Sequence, residues 1–193
     1  MSRWLLVLSA CALTACTTLP QPGADQRSQV RALARSERDA AFSLSGRFVV
    51  KGPDQSASAS LDWQHSSAQD ELQINGPLGK VLAQLTRDAD GVKLIDERQR
   101  VTTAVSLDEL ARQAFGADLP LTRAAHWVTG RPGSADVRSR DAFGRVSVLT
   151  ERGWRVEFIE YEDDSPDALP VQIDATDGEN SFRLRVDSWY PVP

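Results

Sequence analysis

The chain contains very little cysteine. Its 193 residues include two cysteines, Cys11 and Cys16, and both lie near the amino terminus. A domain built from the residues after Cys16 therefore contains no disulfide, although an exported protein would be in a compartment that permits one. Its stability has to come from a hydrophobic core, for which the chain is long enough.

Histidine is equally scarce, and the residue patterns of common catalytic sites are missing. His65 and His126 are the only histidines, and neither has a partner at metal-ligand spacing. The sequence contains no nucleophile elbow, phosphate-binding loop or dinucleotide fingerprint. The acidic run Glu162-Asp163-Asp164 lacks the alternating ligands and the glycine of a calcium loop, so we interpret it as a solvated loop. The sequence thus predicts a protein that is not an enzyme and holds no metal and no dissociable cofactor.

Concentrated positive charge is also absent. The formal net charge is −5, and no run of basic residues occurs. An acidic chain of this kind is a poor candidate for binding nucleic acid or for electrostatic adhesion to anionic lipid. Beyond the amino terminus, no apolar run is long enough to form a transmembrane helix. Any contact with a membrane is therefore expected to come from lipid chains or apolar side chains.

The amino terminus has the pattern of an export signal. Arg3 precedes an apolar run from Trp4 to Leu13, which is too short for a stable membrane span but suits a signal peptide over residues 1–15. The run ends in Leu13-Thr14-Ala15-Cys16, which resembles a bacterial lipobox. That resemblance implies a diacylglyceryl group and an N-acyl chain on Cys16; the alternative is an ordinary signal peptide with a chance cysteine. Thr17 occupies the position at which an aspartate would favour retention in the inner membrane. The absence of that aspartate favours the outer membrane.

Two further segments precede the strands. Residues 16–25 are rich in proline and glycine and predict a lipid-anchored tether, followed by a single domain over residues 26–193. The segment from Asp25 to Ala41 contains no glycine or proline. Its apolar residues, with Phe42 after them, fall near one face, which predicts an amphipathic helix.

Most of the remaining chain alternates between apolar and polar residues, as expected for strands with one buried face. A Ser-x-x-Glu capping box at Ser106 predicts a helix to about Phe115, and a second helix is predicted over Thr122 to Val128. We therefore predict a mainly β fold with helices (α+β), in which about eleven short antiparallel strands curl and the helices cover the concave side. The strands are predicted around residues 44–50, 57–64, 72–74, 81–85, 92–96, 100–105, 137–141, 145–150, 154–160, 171–175 and 181–186.

Large and small residues share the inward strand positions, so the interior is either a filled core or a tapered hollow. Tryptophan buries a large apolar area, which suits core packing, but an acyl-chain pocket would use the same residues. The candidates for such a pocket are Phe48, Leu61, Trp63, Trp127, Val156 and Phe158.

The segment Gly76-Pro77-Leu78-Gly79 is the sharpest local feature. It places a large apolar residue at the tip of a turn between two strands. Loop tips face water, which favours an exposed Leu78. The alternative is that Leu78 folds back onto the sheet.

Taken together, these features resemble the LolB family of outer-membrane lipoprotein receptors. Each matching motif is weak alone, but their order and spacing are specific and cover nearly the whole predicted mature chain. The motifs are FSLSGRF at 42–48, LDW at 61–63, NGPLG at 75–79, LPL at 119–121, WVTGRP at 127–132, Gly153-Trp154, Tyr161, Leu169-Pro170 and Trp189.

The resemblance implies an incomplete antiparallel barrel with a helical lid over an apolar cavity. It also implies a receptor that accepts triacylated lipoproteins from the periplasmic carrier LolA and inserts them into the inner leaflet of the outer membrane, without nucleotide hydrolysis. Leu78 corresponds to the family's membrane-inserting leucine. The receptor is expected to be a monomer, anchored through Cys16 and facing the periplasm. The alternative is an outer-membrane scaffold lipoprotein that binds a protein partner and no lipid.

Overall fold

The computed structural model describes residues 23–36, 40–53, 56–115 and 120–192, without the side chains of residues 114 and 115. The predicted signal peptide, Cys16 and the tether up to residue 22 lie outside the described residues. Their roles therefore stay predictions.

The described residues form one antiparallel sheet of eleven strands. The strands are β1 Phe42–Lys51, β2 Ser56–His65, β3 Asp70–Asn75, β4 Val81–Asp88, β5 Gly91–Asp96, β6 Val101–Ala104, β7 Asp136–Arg140, β8 Val146–Glu151, β9 Trp154–Tyr161, β10 Pro170–Thr176 and β11 Ser181–Tyr190. Their order in the sheet is β6-β5-β4-β3-β2-β1-β11-β10-β9-β8-β7. The sheet is not closed, because β6 and β7 are its two edges, and the predicted incomplete barrel is confirmed.

Strand β1 shows why the sequence forms a sheet with one buried face. Phe42, Leu44, Gly46, Phe48 and Val50 are buried, and the residues that alternate with them are partly or fully exposed. Side chains on a strand alternate between its two faces, so the period-two sequence places every second residue inside. The predicted alternation is confirmed here and in β9.

Gly46 is required where β1 and β11 approach each other at a β-bulge. The register between these strands shifts between Ser45 and Gly46. A Cβ atom at Gly46 would lie 2.5 Å from the backbone oxygen of Arg185. The position therefore excludes any side chain, because the backbone of β11 already occupies that space.

Within the described residues, three α-helices accompany the sheet: α1 Ala24–Ala34, α2 Leu107–Phe115 and α3 Leu121–Val128. The prediction of a helix to Ala41 is wrong at its carboxyl end, and α1 begins at Ala24, inside the predicted tether. Phe42 belongs to β1 because its ring packs against Trp63 and Trp189, with centroid distances of 4.9 and 5.7 Å. This aromatic contact outweighs the helical periodicity that placed Phe42 beside the helix.

The acidic loop after β9 holds α1 in place. Arg31 of α1 donates to Glu162 Oε2 at 2.9 Å and to Asp163 Oδ2 at 2.6 Å. Hydrogen bonds from Arg31 and Ser165 hold the pKa of the Asp163 carboxyl well below its usual range. Asp163 and Asp164 are solvent-exposed, as predicted for a solvated loop, and in addition Glu162 and Asp163 pair with a mostly buried arginine.

The predicted start of α2 is confirmed, with one difference in detail. The Glu109 backbone N–H donates to Ser106 Oγ at 3.2 Å, as in a capping box. The Glu109 carboxylate accepts from the Val105 N–H at 3.1 Å, one residue earlier than the standard motif. Helix α3 ends at Val128, and Gly130, which follows the C-cap residue Thr129, has a φ of +67° in the left-handed region that glycine tolerates.

The buried apolar side chains lie between the inner face of the sheet and the helices. Leu85, Val92, Leu107 and Leu110 form a smaller cluster where α2 covers β4 and β5. Within the described ranges, no helix has the length and apolar character needed to cross a membrane.

Candidate functional site

An apolar cavity of about 100 Å³ lies between the sheet and helices α2 and α3. Its wall is almost entirely apolar, and it is formed by strands β1 to β5, strand β11 and the two helices. The lining side chains are Phe48, Val50, Leu61, Trp63, Leu72, Ile74, Leu85, Leu94, Leu107, Leu110, Ala111, Leu121, Ala124, Val128, Phe182 and Leu184.

Three of the predicted cavity residues line this space. Phe48 projects from β1, and Leu61 and Trp63 project from β2, all on the inner face. The structure therefore brings together the predicted residues of the first two strands. Their contact with acyl chains stays a prediction.

The other three predicted residues, Trp127, Val156 and Phe158, do not line this cavity. They are buried in the packed core under β8, β9 and β10. The Trp127 ring packs against Trp154 at a centroid distance of 6.3 Å. Inward-facing residues of both halves of the sheet have the same sequence pattern, so periodicity alone did not separate them.

Sequence reasoning missed the helix residues that roof the cavity. Leu107, Leu110 and Ala111 follow the i, i+3, i+4 spacing of one helix face. Leu121, Ala124 and Val128 follow the related i, i+3, i+7 spacing in α3. The amphipathic spacing in both predicted helices could have identified these residues.

Helix α3 is tied to the end of β8 by a buried carboxylate. Glu151 accepts a hydrogen bond from Trp127 Nε1 at 3.0 Å and pairs with Arg123 Nε at 2.8 Å. Nearby, burial and the charges of Arg131 and Arg123 lower the pKa of His126. These contacts fix α3 against the part of the sheet that β8, β9 and β10 form.

Helix α2 is attached mainly by apolar contacts. Among its polar links to neighbouring elements are a hydrogen bond from the Thr122 N–H to Asp108 Oδ1 at 2.7 Å and an ion pair between Asp108 and Arg152 at 3.6 Å. The second of these is largely solvent-exposed at its arginine and contributes little to stability.

The size of the cavity limits what it holds in this conformation. An apolar cavity of about 150 Å³ accommodates a benzene-sized ligand, and the cavity here is smaller. A longer apolar ligand enters only if α2, α3 or both move away from the sheet.

The loop between β3 and β4 projects into solvent. The side chain of Leu78 is 107% exposed, so the prediction that it faces water is confirmed over the alternative that it folds back. Leu78 has φ 60° and ψ 22°, and Gly79 has φ +75°. The Gly76 N–H donates to the Lys80 oxygen at 2.8 Å, which closes the loop at its base. The loop thus holds one large apolar side chain away from the protein.

Known proteins similar to this chain share its sequence pattern and its fold. The family model described as "Outer membrane lipoprotein LolB" matches residues 40–189. The "Outer-membrane lipoprotein LolB" of Azoarcus sp. is 36% identical over 97% of this chain and 95% of its own length. The protein of the same name from Dechloromonas aromatica is 30% identical over 99% of this chain and 98% of its own.

Two solved structures have a similar fold at low sequence identity. A LolA superfamily protein from Nitrosomonas europaea superposes with a TM-score of 0.50 and 10% identity, over 87% of this chain and 94% of that one. A putative outer membrane lipoprotein-sorting protein domain from Vibrio parahaemolyticus has a TM-score of 0.51 and 10% identity, over 86% and 90%. At such identities the likeness concerns the fold.

Proposed function

This chain belongs to the LolB family of outer membrane lipoproteins, and we propose that it accepts triacylated lipoproteins from the periplasmic carrier LolA and inserts them into the inner leaflet of the outer membrane. The observation that carries the proposal is the combination, in one chain, of a roofed apolar cavity with a completely exposed Leu78. The first feature suits the storage of acyl chains, and the second suits contact with a membrane.

The cavity binds by apolar area and offers almost no polar anchor. Each buried methylene contributes about 0.8 kcal/mol, so small differences in the apolar area covered decide which site holds an acyl chain more tightly. Transfer runs downhill if the receptor holds the chains better than the carrier and less well than the bilayer. Nucleotide hydrolysis is then not needed.

Uptake of cargo requires the lid to open. The cavity is too small for three acyl chains, so the helices that cover it have to move away from the sheet. Opening α2 exposes Leu107 and Leu110 together with the inner faces of β4 and β5. Acyl chains then cover the surface that the lid uncovers.

Leu78 provides the contact with lipid. A leucine that enters an apolar phase contributes about 1.5–3 kcal/mol, which is too little to anchor a protein but enough to orient it. The permanent anchor is the acylated Cys16, because several acyl chains hold a protein at a membrane essentially irreversibly. We expect the receptor to act as a monomer that faces the periplasm and has no catalytic activity.

The test separates the two transfer steps. Acylated cargo is passed from carrier to receptor and then, in a separate assay, from receptor to liposomes. Leu78→Glu is expected to leave the first step intact and to impair the second, because a carboxylate resists burial in lipid. Normal transfer to liposomes by Leu78→Glu would show that Leu78 does not insert.

The choice of control follows from the backbone. Isoleucine, the conservative change that sequence alone suggests, is strained at φ 60° because β-branched residues avoid positive φ. Leu78→Met keeps the apolar area without the branch and is expected to transfer cargo normally. If the wild-type protein accepts no acylated cargo at all, the alternative of a scaffold lipoprotein is favoured.

A further inference from the structure

A row of three ionisable side chains, centred on the buried Asp70, lies directly beneath the apolar cavity. In the sheet register, Trp63 is paired with Leu72, Leu72 with Leu85, and Leu85 with Leu94, and all four line the cavity. Two residues further along the strands, His65 is paired with Asp70 and Asp70 with Arg87. We call His65, Asp70 and Arg87 the charged row. None of its side chains lines the cavity, so the apolar wall ends where this row begins.

Asp70 is the centre of the charged row and is 2% exposed. It accepts a hydrogen bond from Trp63 Nε1 at 2.9 Å, contacts His65 Nδ1 at 2.6 Å and pairs with Arg87 Nε. Asp70 thus links Trp63, which lines the cavity, to His65 and Arg87, the two charged-row residues on either side of Asp70. Arg87 also donates to the Ser66 oxygen at 3.1 Å, which fixes the guanidinium.

A buried ion pair is rarely the most stabilising choice for a protein core. Well-packed apolar residues are often as stable or more stable, so a buried pair calls for a role other than stability. Phe42 stacks on His65 at a centroid distance of 4.8 Å and meets Trp63 edge to face, so the polar groups lie within an aromatic cluster. The cluster leaves the Trp63 indole held both by packing and by a directed hydrogen bond.

We propose that Asp70 is a positioning residue that fixes Trp63, and that the charged row sets the depth to which an acyl chain enters the cavity. This inference rests on the proposed function. An alkyl chain that passed Trp63 would displace groups whose hydrogen bonds it cannot replace, which opposes deeper entry. Because the row is built into three adjacent strands, it stays in place when the helices open.

The structure contains a matched control. Glu151 is also a buried carboxylate that accepts from a tryptophan N–H and pairs with an arginine, but Trp127 does not line the cavity. Asp70→Asn and Glu151→Gln remove the same charge from two similar sites. Only the first site lies at the end of the cavity, whereas the second fixes a lid helix.

The experiment compares the binding of saturated fatty acids, from lauric to stearic acid, by displacement of an apolar fluorophore from the full chain. For wild type we expect affinity to rise with chain length and then to level off where the chain reaches Trp63. Asp70→Asn and Trp63→Phe should move that plateau to longer chains, with a gain of about fourfold for each additional buried methylene. Glu151→Gln should change all affinities by one common factor, because it alters the lid and not the depth.

Three results would decide against the inference. Equal changes for all chain lengths in Asp70→Asn and Glu151→Gln would mean that Asp70 only supports the fold. If Asp70→Asn does not fold, Trp63→Phe decides alone, and an unchanged plateau overturns the inference. If the wild-type protein binds no fatty acid, both the proposed function and this inference fail. If it binds fatty acids but the variants leave the plateau at the same chain length, the depth limit alone is overturned. A changed indole N–H resonance for Trp63 in Asp70→Asn, with the other indole resonances unchanged, supports the positioning role.

Discussion

The two halves of the sheet use similar inward-facing residues and reach different outcomes. Strands β1 to β5 and β11 enclose a cavity with α2 and one face of α3, while β8, β9 and β10 form a filled core with the opposite face of α3. Helix α3 separates the halves, because Trp127 points into the filled core and Ala124 and Val128 face the cavity. The side chains of the helices therefore determine where the cavity lies. Trp127 fills the space on one side of α3, whereas the small side chains of Ala111 and Ala124 leave space on the other side.

The largest expected effect is in the filled half. Trp154, which is 3% exposed and packs against Trp127, is central to that core. We expect Trp154→Ala to lower the free energy of unfolding by about 3–5 kcal/mol, measured by urea denaturation. Binding of an apolar fluorophore per folded molecule should be unchanged. Loss of fluorophore binding with little loss of stability would reverse the assignment of the two halves.

The same substitution in both halves should have unequal costs. Leu149 lies in the filled half and is completely buried, whereas Leu110 lines the cavity. We expect Leu149→Ala to cost about 4–5 kcal/mol and Leu110→Ala about 2–3 kcal/mol, because part of the Leu110 surface already faces free volume. Leu110→Ala should also enlarge the cavity and bind the fluorophore more tightly. Equal costs with unchanged binding would indicate that both halves are packed alike.

Filling the cavity should make the half of the sheet that contains it resemble the filled half. Ala124→Leu adds a side chain where free volume exists, so we expect the free energy of unfolding to change by less than about 1 kcal/mol. Fluorophore binding should weaken by about tenfold or more, because the apolar space is taken. The control is Ala175→Leu in the filled half, which is expected to cost about 1–3 kcal/mol by overpacking. Unfolding of Ala124→Leu would show that no free volume is present at that site.

The smallest expected effect concerns pH. Burial would raise the pKa of Asp70, but hydrogen bonds from His65, Arg87 and Trp63 outweigh it and lower that pKa. A carboxyl with a lowered pKa in the folded state stabilises the protein above its unfolded value, near 3.9, and loses this contribution as pH falls through the folded value. Urea denaturation from neutral pH down to that range should show a loss of stability that is reduced in Asp70→Asn. An identical acid dependence in the variant would contradict the lowered pKa.

Much of the fold is predictable from local patterns. The alternation in β1 and the capping box before α2 depend on neighbours in sequence, and both predictions are confirmed. Phe42 was assigned wrongly, because its aromatic partner Trp189 lies far along the chain. Likewise, nothing local to Val156 or Phe158 reveals that the residues above them fill the space.

The sequence by itself determined the eleven-strand pattern, the absence of common catalytic motifs and the position of Leu78 at a loop tip. These follow from period-two alternation, residue types and turn chemistry, all of which act over a few residues. Only the tertiary structure decided that the hollow lies under α2, that Trp127 fills the opposite half, and that Asp70 lies beneath the cavity beside Trp63. Strand register and helix placement set these distances, because they bring together residues that the chain itself keeps apart.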